Sequence, residues 1–288
     1  MSLRVAIPNK GRLADSTLDL LQRAGVRVDP GSERRLFAPA LDGRVTLLFV
    51  RAQDIPEFIQ DGVADVGITG HDLVVESGKN VSELLDLDIG SCRLSLAAPE
   101  ASPVRSAKEV PRGSKVATCF PRTTRAFFER LGNGVTVVEV SGATEVTPHI
   151  GVADYVVDLV SSGSTLKVNH LREVETLLTS SARVIVADAT RADVPRMAEI
   201  EDLLFALRTV LSARGKRYLM ANVPRARLDD VRRILPGLTG PTIMEIAGHP
   251  ETVAAHAVVD EPHLYDTVNR LKALGATGIL VLPIERLV

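Results

Sequence analysis

Tryptophan is absent from this sequence of 288 residues, and seven phenylalanines and three tyrosines bring the aromatic residues to only 3%. Single-stranded nucleic acids are usually bound on stacked aromatic side chains, and the formal net charge of −2 supplies no basic field for a phosphate backbone. No apolar run reaches the length that a membrane-spanning helix needs. These shortages argue against nucleic acids and membranes as partners.

Cysteine is also scarce. Cys92 and Cys119 are too few for a disulfide framework, which favours a reducing compartment over secretion. The apolar stretch at residues 3–8 is too short for a signal peptide, and it leads into a polar turn. We therefore expect a cytoplasmic protein.

Several catalytic motifs are missing as well. The sequence contains no Gly-x-Ser-x-Gly nucleophile elbow, no His-Glu-x-x-His pair and no Gly-x-Gly-x-x-Gly fingerprint. Cysteine and histidine do not cluster at metal-ligand spacing. Serine hydrolase, zinc and dinucleotide chemistry are thus disfavoured.

What the sequence does contain is a regular alternation of strand and helix patterns, which predicts α/β lobes with mostly parallel sheets. The tetrapeptide Gly-Val-Ala-Asp occurs at residues 62–65 and again at 151–154, each time between a predicted helix and a predicted strand. We interpret this echo as two similar lobes. The first comprises residues 1–92 and about 186–212, and the second comprises 93–185. A strand predicted at 182–187 could join either lobe, and residues 171–178 are interpreted as helical or partly extended.

The pattern changes in residues 213–288, where the predicted order is βαββαβ. This order is that of a ferredoxin-like domain, and its length suits a small independent unit. Either a regulatory module that senses a small molecule or a purely structural, oligomerising domain fits this pattern.

A loop rich in hydroxyl groups follows a predicted strand of the second lobe. It comprises Ser161, Ser162, Gly163, Ser164 and Thr165. With a helix starting near Thr165, free backbone N–H groups and four hydroxyls would suit a phosphate dianion, and Gly163 would let the backbone approach it. Asp158, at the strand end, could accept hydrogen bonds from sugar hydroxyls. A serine-rich turn that only caps a helix is the plainer alternative.

Cations collect on other loops that are predicted to face the same cleft. They are Lys10, Arg12, Arg51 and Arg122. A substrate with several phosphates would favour that arrangement. Glu145 and Asp158 add carboxylates, which suit ribose hydroxyls or a bound Mg²⁺.

The motifs together resemble one family. Residues 5–13 (VAIPNKGRL), residues 67–72 (GITGHD) and the stretch 145–166 are similar to signature segments of ATP phosphoribosyltransferase in its long form, the first enzyme of histidine biosynthesis. Tyr218-Leu219-Met220 and Pro241-Thr242-Ile243 resemble that family's C-terminal domain. The likeness therefore spans nearly the whole chain.

The resemblance implies two lobes with the type II periplasmic-binding-protein fold and an active site between them. It implies a glycosyltransferase in which N1 of ATP attacks C1 of 5-phosphoribosyl 1-diphosphate (PRPP), giving phosphoribosyl-ATP and diphosphate. It also implies Mg²⁺ as cofactor, histidine as a feedback inhibitor bound by the C-terminal domain, and homo-oligomers, either dimers or hexamers.

The resemblance also assigns roles to residues. The 161–165 loop would bind the 5-phosphate of PRPP, and Glu145 and Asp158 would hold the ribose and steady the cationic sugar. Lys10 and Arg51 would contribute to catalysis by neutralising phosphates. The expected ATP or diphosphate contacts are Lys10, Gly11, Arg12, Gly70, Asp72 and Arg122. The expected histidine contacts are Asn222, Leu238 and Thr242.

Two alternatives stay open at this point. The loop also resembles the PRPP loop of purine and pyrimidine salvage transferases, although Val157 replaces the first of the two adjacent acids usual there. A cytoplasmic ligand-binding protein without catalytic activity is the other alternative.

Overall fold

A computed structural model describes residues 2–29 and 36–288, with Arg12 described by its backbone alone. The chain divides into two compact units, Met1–Leu204 and Phe205–Val288. The first unit contains two sheets, and the second contains one.

The first sheet of unit one has six strands in the order β2-β3-β1-β4-β11-β5. Its strands are β1 (Leu3–Pro8), β2 (Phe37–Pro39), β3 (Val45–Val50), β4 (Val66–Gly70), β5 (Val81–Asp86) and β11 (Ala182–Ala187). The helices between them are α1 (Arg12–Arg23), α2 (Ile55–Gln60) and α3 (His71–Ser77). Strand β1 pairs in parallel with β3 and β4, whereas β11 runs antiparallel to β4 and β5. The strands β1 and β4 are buried almost throughout, as expected where helices cover both faces of a sheet.

The second sheet has five strands in the order β10-β6-β9-β7-β8. Its strands are β6 (Cys92–Pro99), β7 (Lys115–Thr118), β8 (Thr136–Glu139), β9 (Tyr155–Val160) and β10 (Leu171–Ser180). Its helices are α4 (Pro121–Arg130) and α5 (Ser164–Val168). Phe128 and the inward residues of β6 and β9 form the core on one face of this sheet.

The two sheets repeat one topology, which confirms the two-lobed α/β fold. Reading outwards, β3-β1-β4 with antiparallel β11 corresponds to β8-β7-β9 with antiparallel β6. The aspartate of the repeated tetrapeptide makes the same hydrogen bond in each sheet. Asp65 accepts the backbone N–H of Arg4 at 2.8 Å, and Asp154 accepts that of Lys115 at 2.8 Å, so each carboxylate joins neighbouring parallel strands at their amino ends.

The chain passes between the sheets twice, at residues 87–91 and at Ser181. The crossings lie side by side, because Leu87 N–H donates to Ala182 O and Ala182 N–H donates to Ile89 O, both at 2.9 Å. Residues 182–187 therefore belong to the first sheet, and the boundary placed at residue 185 moves back to about 181. Residues 171–180 are a strand paired with β6, rather than helical.

Unit two begins inside α6 (Val194–Ser212), so the C-terminal part of this helix belongs with it rather than with the first lobe. Leu287 N–H donates to Thr209 O at 2.9 Å. The remaining elements are β12 (Lys216–Pro224), α7 (Leu228–Ile234), β13 (Thr242–Glu245), β14 (Thr252–Asp260), α8 (Leu264–Ala273) and β15 (Thr277–Pro283). The antiparallel order β13-β14-β12-β15 is that of the expected ferredoxin-like domain.

Alternate residues of β12 and β14 are buried beneath α7 and α8, and the residues between them lie on the opposite, open face of the sheet. Among the described residues, no helix has the length and apolar character that crossing a bilayer requires.

Candidate active site

Two of the predicted cations meet at the carboxyl edge of the first sheet. Pro8 and Val50 are paired at the ends of β1 and β3, and Asn9 N–H donates to Val50 O at 2.8 Å. Lys10 and Arg51 follow these strands and line a cavity of about 260 Å³. Neither side chain forms an ion pair with a carboxylate of residues 2–29 and 36–288. Their charges are therefore available to an anion.

The amino end of α1 adds backbone donors beside these cations. Gly11 precedes the helix with a φ of 83°, a left-handed conformation that glycine adopts without strain. Because the N-cap residue is a glycine, it has no side chain that could accept hydrogen bonds from the first N–H groups of the helix. The Arg12 side chain lies outside the described residues, and its expected contact with a phosphate stays a prediction.

The hydroxyl loop of the second lobe is exposed at the carboxyl end of β9, as the phosphate prediction requires. Gly163 has a φ of 77°, and among the described residues other than its chain neighbours, only a methyl group of Val160 comes within 4 Å of where its Cβ would stand. The hydroxyls of Ser162 and Ser164 lie 2.9 Å apart. Helix α5 has only five residues, so its dipole is small, and the loop's own N–H and O–H groups must supply most of the attraction.

A pair of carboxylates lies at the end of the same strand. Burial raises the pKa of Asp158, and the neighbouring charge of Glu145 raises it further. The Leu159 N–H, which donates to Asp158 Oδ1 at 2.7 Å, and the Thr144 hydroxyl act in the opposite direction. The ionised pair is costly by itself, because two like charges share a partly desolvated site. A cationic sugar or a divalent cation beside it would relieve that cost.

The turn that presents Glu145 is locally strained. Ala143 has a φ of 50°, which is unusual for a residue with a side chain, and it precedes a short 3-10 turn, Thr144–Val146. The Thr144 side chain is 1% exposed. Gly151, the first residue of the second Gly-Val-Ala-Asp tetrapeptide, has a left-handed φ of 71°. The segment before it is a 3-10 turn and further turns rather than an α-helix.

Arg122 lies at a contact between the lobes. Its guanidinium occupies the space over Gly78, where a Cβ would come within 3 Å of it. Glu76 of α3 accepts the N–H groups of Arg122 and Thr123 at 2.8 and 2.9 Å and the Thr123 hydroxyl at 2.7 Å. Glu76 therefore caps α4 from the opposite lobe. Nothing in the local sequence signals this cap, because the two segments are 46 residues apart.

Gly70 and Asp72 differ from the expectation that they face a ligand. Asp72 is 5% exposed, its N–H donates to Ser180 Oγ at 3.0 Å, and the Ser180 hydroxyl donates to its carboxylate. A Cβ on Gly70 would clash with Asp72 Oδ1. In this conformation both residues brace α3 against the end of β10, and their contact with nucleotide stays a prediction.

Carboxylate oxygens are suitable ligands for a divalent cation, and the Glu145 and Asp158 pair could supply one or two of them. Within the described parts of the chain, no group of three or more histidine, cysteine or acidic side chains is placed to hold a metal. The residues present therefore fit a cation held partly by substrate phosphates.

The residues expected to bind histidine lie in unit two. Asn222 and Thr242 flank β14, opposite Ala254 and His256, and they share the open face of the sheet. Two strand spacings across the sheet and two residues along it separate their Cα atoms, which amounts to about 12 Å. Leu238 is largely exposed in the segment that leads into β13.

Two lobes of one topology, with cations at the sheet edge of one and hydroxyls and carboxylates at that of the other, define a type II periplasmic-binding-protein-like α/β unit suited to a phosphorylated ligand. The family model HisG, ATP phosphoribosyltransferase, matches residues 51–209, and the model for the HisG C-terminal domain matches residues 213–286. This chain belongs to the ATP phosphoribosyltransferase family, in its long form.

Similar proteins agree with this assignment. The ATP phosphoribosyltransferase of Gemmatimonas aurantiaca is 55% identical over 291 residues, covering 99% of both chains. That of Halobacterium salinarum is 50% identical over 287 residues, covering 99% of this chain and 100% of the relative. A chain of the ATP phosphoribosyl transferase (HisG:HisZ) complex from Thermotoga maritima aligns with a TM-score of 0.61 at 27% identity, covering 72% of this chain and 98% of the other. The protein is thus a transferase of the first step of histidine biosynthesis.

Proposed function

We propose that unit one transfers the 5-phosphoribosyl group of PRPP to N1 of ATP by dividing the substrates' charges between its two lobes. The observation that carries this proposal is the Glu145 and Asp158 pair beside the exposed 161–165 loop at the end of β9. One strand end thereby offers groups for the ribose and for its 5-phosphate.

The 161–165 loop binds the 5-phosphate through its hydroxyls and N–H groups. Asp158 and Glu145 accept hydrogen bonds from the ribose hydroxyls. As the bond from C1 to diphosphate breaks, positive charge develops on the sugar, and the two carboxylates stabilise it. N1 of the adenine is nucleophilic without losing a proton, so the reaction requires no general base.

Lys10 and Arg51 neutralise the diphosphate or the triphosphate at the edge of the first lobe, with the uncapped end of α1 at Gly11 and Arg12. Arg122 adds a charge at the contact between the lobes. Gly70 and Asp72 keep a proposed nucleotide role that requires them to leave the contacts described above. Catalysis on this scheme is positioning combined with electrostatic stabilisation.

The divalent cation is proposed to be Mg²⁺. Asp158 or Glu145 would hold it together with substrate phosphates, which is the usual mode for this ion. When bound, it offsets the negative charge of the leaving diphosphate.

Unit two is proposed to bind histidine as a feedback inhibitor on the open face of its sheet, through Asn222 and Thr242 with Leu238. We further propose a cytoplasmic homo-oligomer, either a dimer or a hexamer.

The decisive experiment measures diphosphate release from PRPP and Mg²⁺ with ATP, and separately with free purine and pyrimidine bases, each with and without histidine. We expect diphosphate release when ATP is the acceptor but not when a free base is the acceptor. Adding histidine should slow the release with ATP. Release with free bases would instead indicate a salvage transferase, and no release with any acceptor would contradict catalysis.

A further inference from the structure

The phosphate loop is contacted by a salt bridge between neighbouring strands of its sheet. We call this pair, Arg93 and Glu173, the strut. Arg93 of β6 donates from Nε and Nη2 to the two carboxylate oxygens of Glu173 on β10, both at 2.5 Å. Its third nitrogen, Nη1, donates to the backbone carbonyl of Ser161 at 3.2 Å. One guanidinium therefore connects β10, β6 and the first residue of the loop that follows β9.

The far end of this strut is itself held in place. Glu173 Oε1 also accepts the hydroxyl of Ser95 at 2.8 Å, and Ser95 Oγ lies 3.3 Å from Thr176 Oγ1. Ser95 is fully buried. The hydrogen bonds from Arg93 lower the pKa of Glu173, so this carboxylate is ionised in the folded protein at neutral pH. The fork of Arg93 is therefore fixed before it reaches Ser161.

The contact with Ser161 determines which way the loop's first peptide faces. Carbonyl and N–H point in opposite directions across a planar trans peptide. With the Ser161 carbonyl directed at Arg93, the N–H of Ser162 points away from the strut. A carbonyl oxygen turned towards a phosphate would repel it, whereas an N–H would attract it.

We propose that Arg93 and Glu173 are positioning residues that set the orientation of the Ser161–Ser162 peptide and so prepare the loop for the 5-phosphate of PRPP. Neither residue touches substrate. The inference deepens the proposed function and depends on it, because it takes the loop to be the sugar-phosphate site.

A purely structural ion pair would behave differently. Arg93 and Glu173 are each about a third exposed, and pairs at that exposure add little to stability. The main effect of breaking the pair should therefore appear in PRPP binding. The loop is short, exposed and rich in small residues, so it has conformational entropy to lose when it orders around a phosphate.

The test compares Arg93→Gln, Arg93→Lys and Glu173→Gln with wild type in the full chain. Lysine keeps the charge but not the bidentate fork. The matched control is Arg125→Gln, which breaks a surface pair with Glu139 of the same 2.5 Å length on α4. Titration with ribose 5-phosphate and with PRPP gives affinity without turnover, steady-state kinetics give KM for each substrate, and thermal melting reports folding.

For Arg93→Gln we expect about a tenfold loss of affinity for both sugar phosphates, because a hydrogen bond from a charged donor is removed from a preorganised loop. KM for ATP should change less than about twofold, since the strut is in the second lobe alone. Arg93→Lys should recover part of the loss, Glu173→Gln should lose affinity in the same direction, and Arg125→Gln should resemble wild type.

Unchanged affinity for ribose 5-phosphate in Arg93→Gln would overturn the proposal. Equal losses for PRPP and ATP would also overturn it, because they would indicate a general structural role. If Arg93→Gln does not fold, Glu173→Gln decides by the same criteria. Failure of the proposed function looks different, because wild type itself would then neither bind ribose 5-phosphate nor release diphosphate.

Discussion

Replacing Asp158 by asparagine removes one negative charge and almost no volume. The buried carboxylate accepts the Leu159 N–H at 2.7 Å, and the amide oxygen of asparagine can accept the same bond. The change therefore isolates the charge from the packing around it.

The expected loss of rate follows from Coulomb's law. A full charge pair at about 4 Å with an effective dielectric constant of about 20 interacts by about 4 kcal/mol. Roughly half a charge develops on the sugar in the transition state, so about 2 kcal/mol of stabilisation disappears, and kcat falls about thirtyfold.

The stability of the variant should move in the other direction. Burial raises the folded-state pKa of Asp158 above its usual value, so this group stabilises the fold at low pH and loses that contribution as pH rises through the folded-state pKa. At neutral pH the ionised carboxylate is therefore a cost, and Asp158→Asn should melt at the same temperature as wild type or higher. Diphosphate release and a melting curve at neutral pH measure both effects. Turnover like that of wild type would refute the electrostatic role, and a large drop in melting temperature would refute the reasoning about burial.

Three further predictions concern a neighbour of Asp158, the cap on α4 and the proposed histidine site of unit two. Thr144→Val removes a hydroxyl that lowers the pKa of Asp158, so the acid limb of the pH profile of kcat/KM should shift to higher pH. Thr144→Ser keeps a hydroxyl and should keep the wild-type profile. An unshifted acid limb in the valine variant would contradict the contact between Thr144 and Asp158. Glu76→Gln weakens the cap on α4 and should lower the free energy of unfolding by about 1–2 kcal/mol in chemical denaturation. The control is Glu57→Gln, which breaks the exposed ion pair with Lys79 at 2.8 Å and should change the free energy of unfolding by less than about 0.5 kcal/mol. Equal effects of Glu76→Gln and Glu57→Gln would show that the cap is unimportant. Asn222→Ala should weaken inhibition by histidine at least about tenfold with kcat unchanged, since one polar contact in a small-molecule site contributes on that scale; inhibition equal to wild type would move the effector site elsewhere.

Asn222→Ala is a better test of the histidine site than a truncation at residue 213, although the truncation would remove most of unit two in one step. The boundary lies inside α6, and Leu207 and Val210 are fully buried. Cutting at 213 would divide the second compact unit and leave the end of α6 without the rest of it, so loss of inhibition could not be separated from damage to the fold. A point substitution on the open face avoids that ambiguity.

The sequence predicted the elements with strong local signals. The βαββαβ order followed from alternation and turn residues, and the Gly-Val-Ala-Asp echo correctly indicated two lobes of one design. The exposed loop at 161–165 was predicted from glycine and hydroxyl chemistry, although the helix after it proved to be five residues long.

What local pattern could not supply was long-range pairing. For residues 171–178 the sequence left a helical and a partly extended interpretation open, because the pairing of β10 with β6 shifts register between Glu173 and Glu175 and again between Thr176 and Leu178, which interrupts the alternation of a regular strand. The lobe of residues 182–187 is decided by partners more than a hundred residues away in β4. The bond between Asp72 and Ser180 spans 108 residues, and no periodicity reports such a contact.

The twin aspartates that tie neighbouring strands at their amino ends have a consequence for how this fold tolerates change. Asp65 and Asp154 secure one rim of each lobe, while Lys10, Arg51 and Asp158 occupy the opposite rim. Because the two rims are separate, the charges of the functional rim can change without releasing the strands that the aspartates hold together. Substitutions at the aspartate rim should therefore alter how much protein folds, whereas those at the functional rim should alter what the protein binds and how fast it reacts.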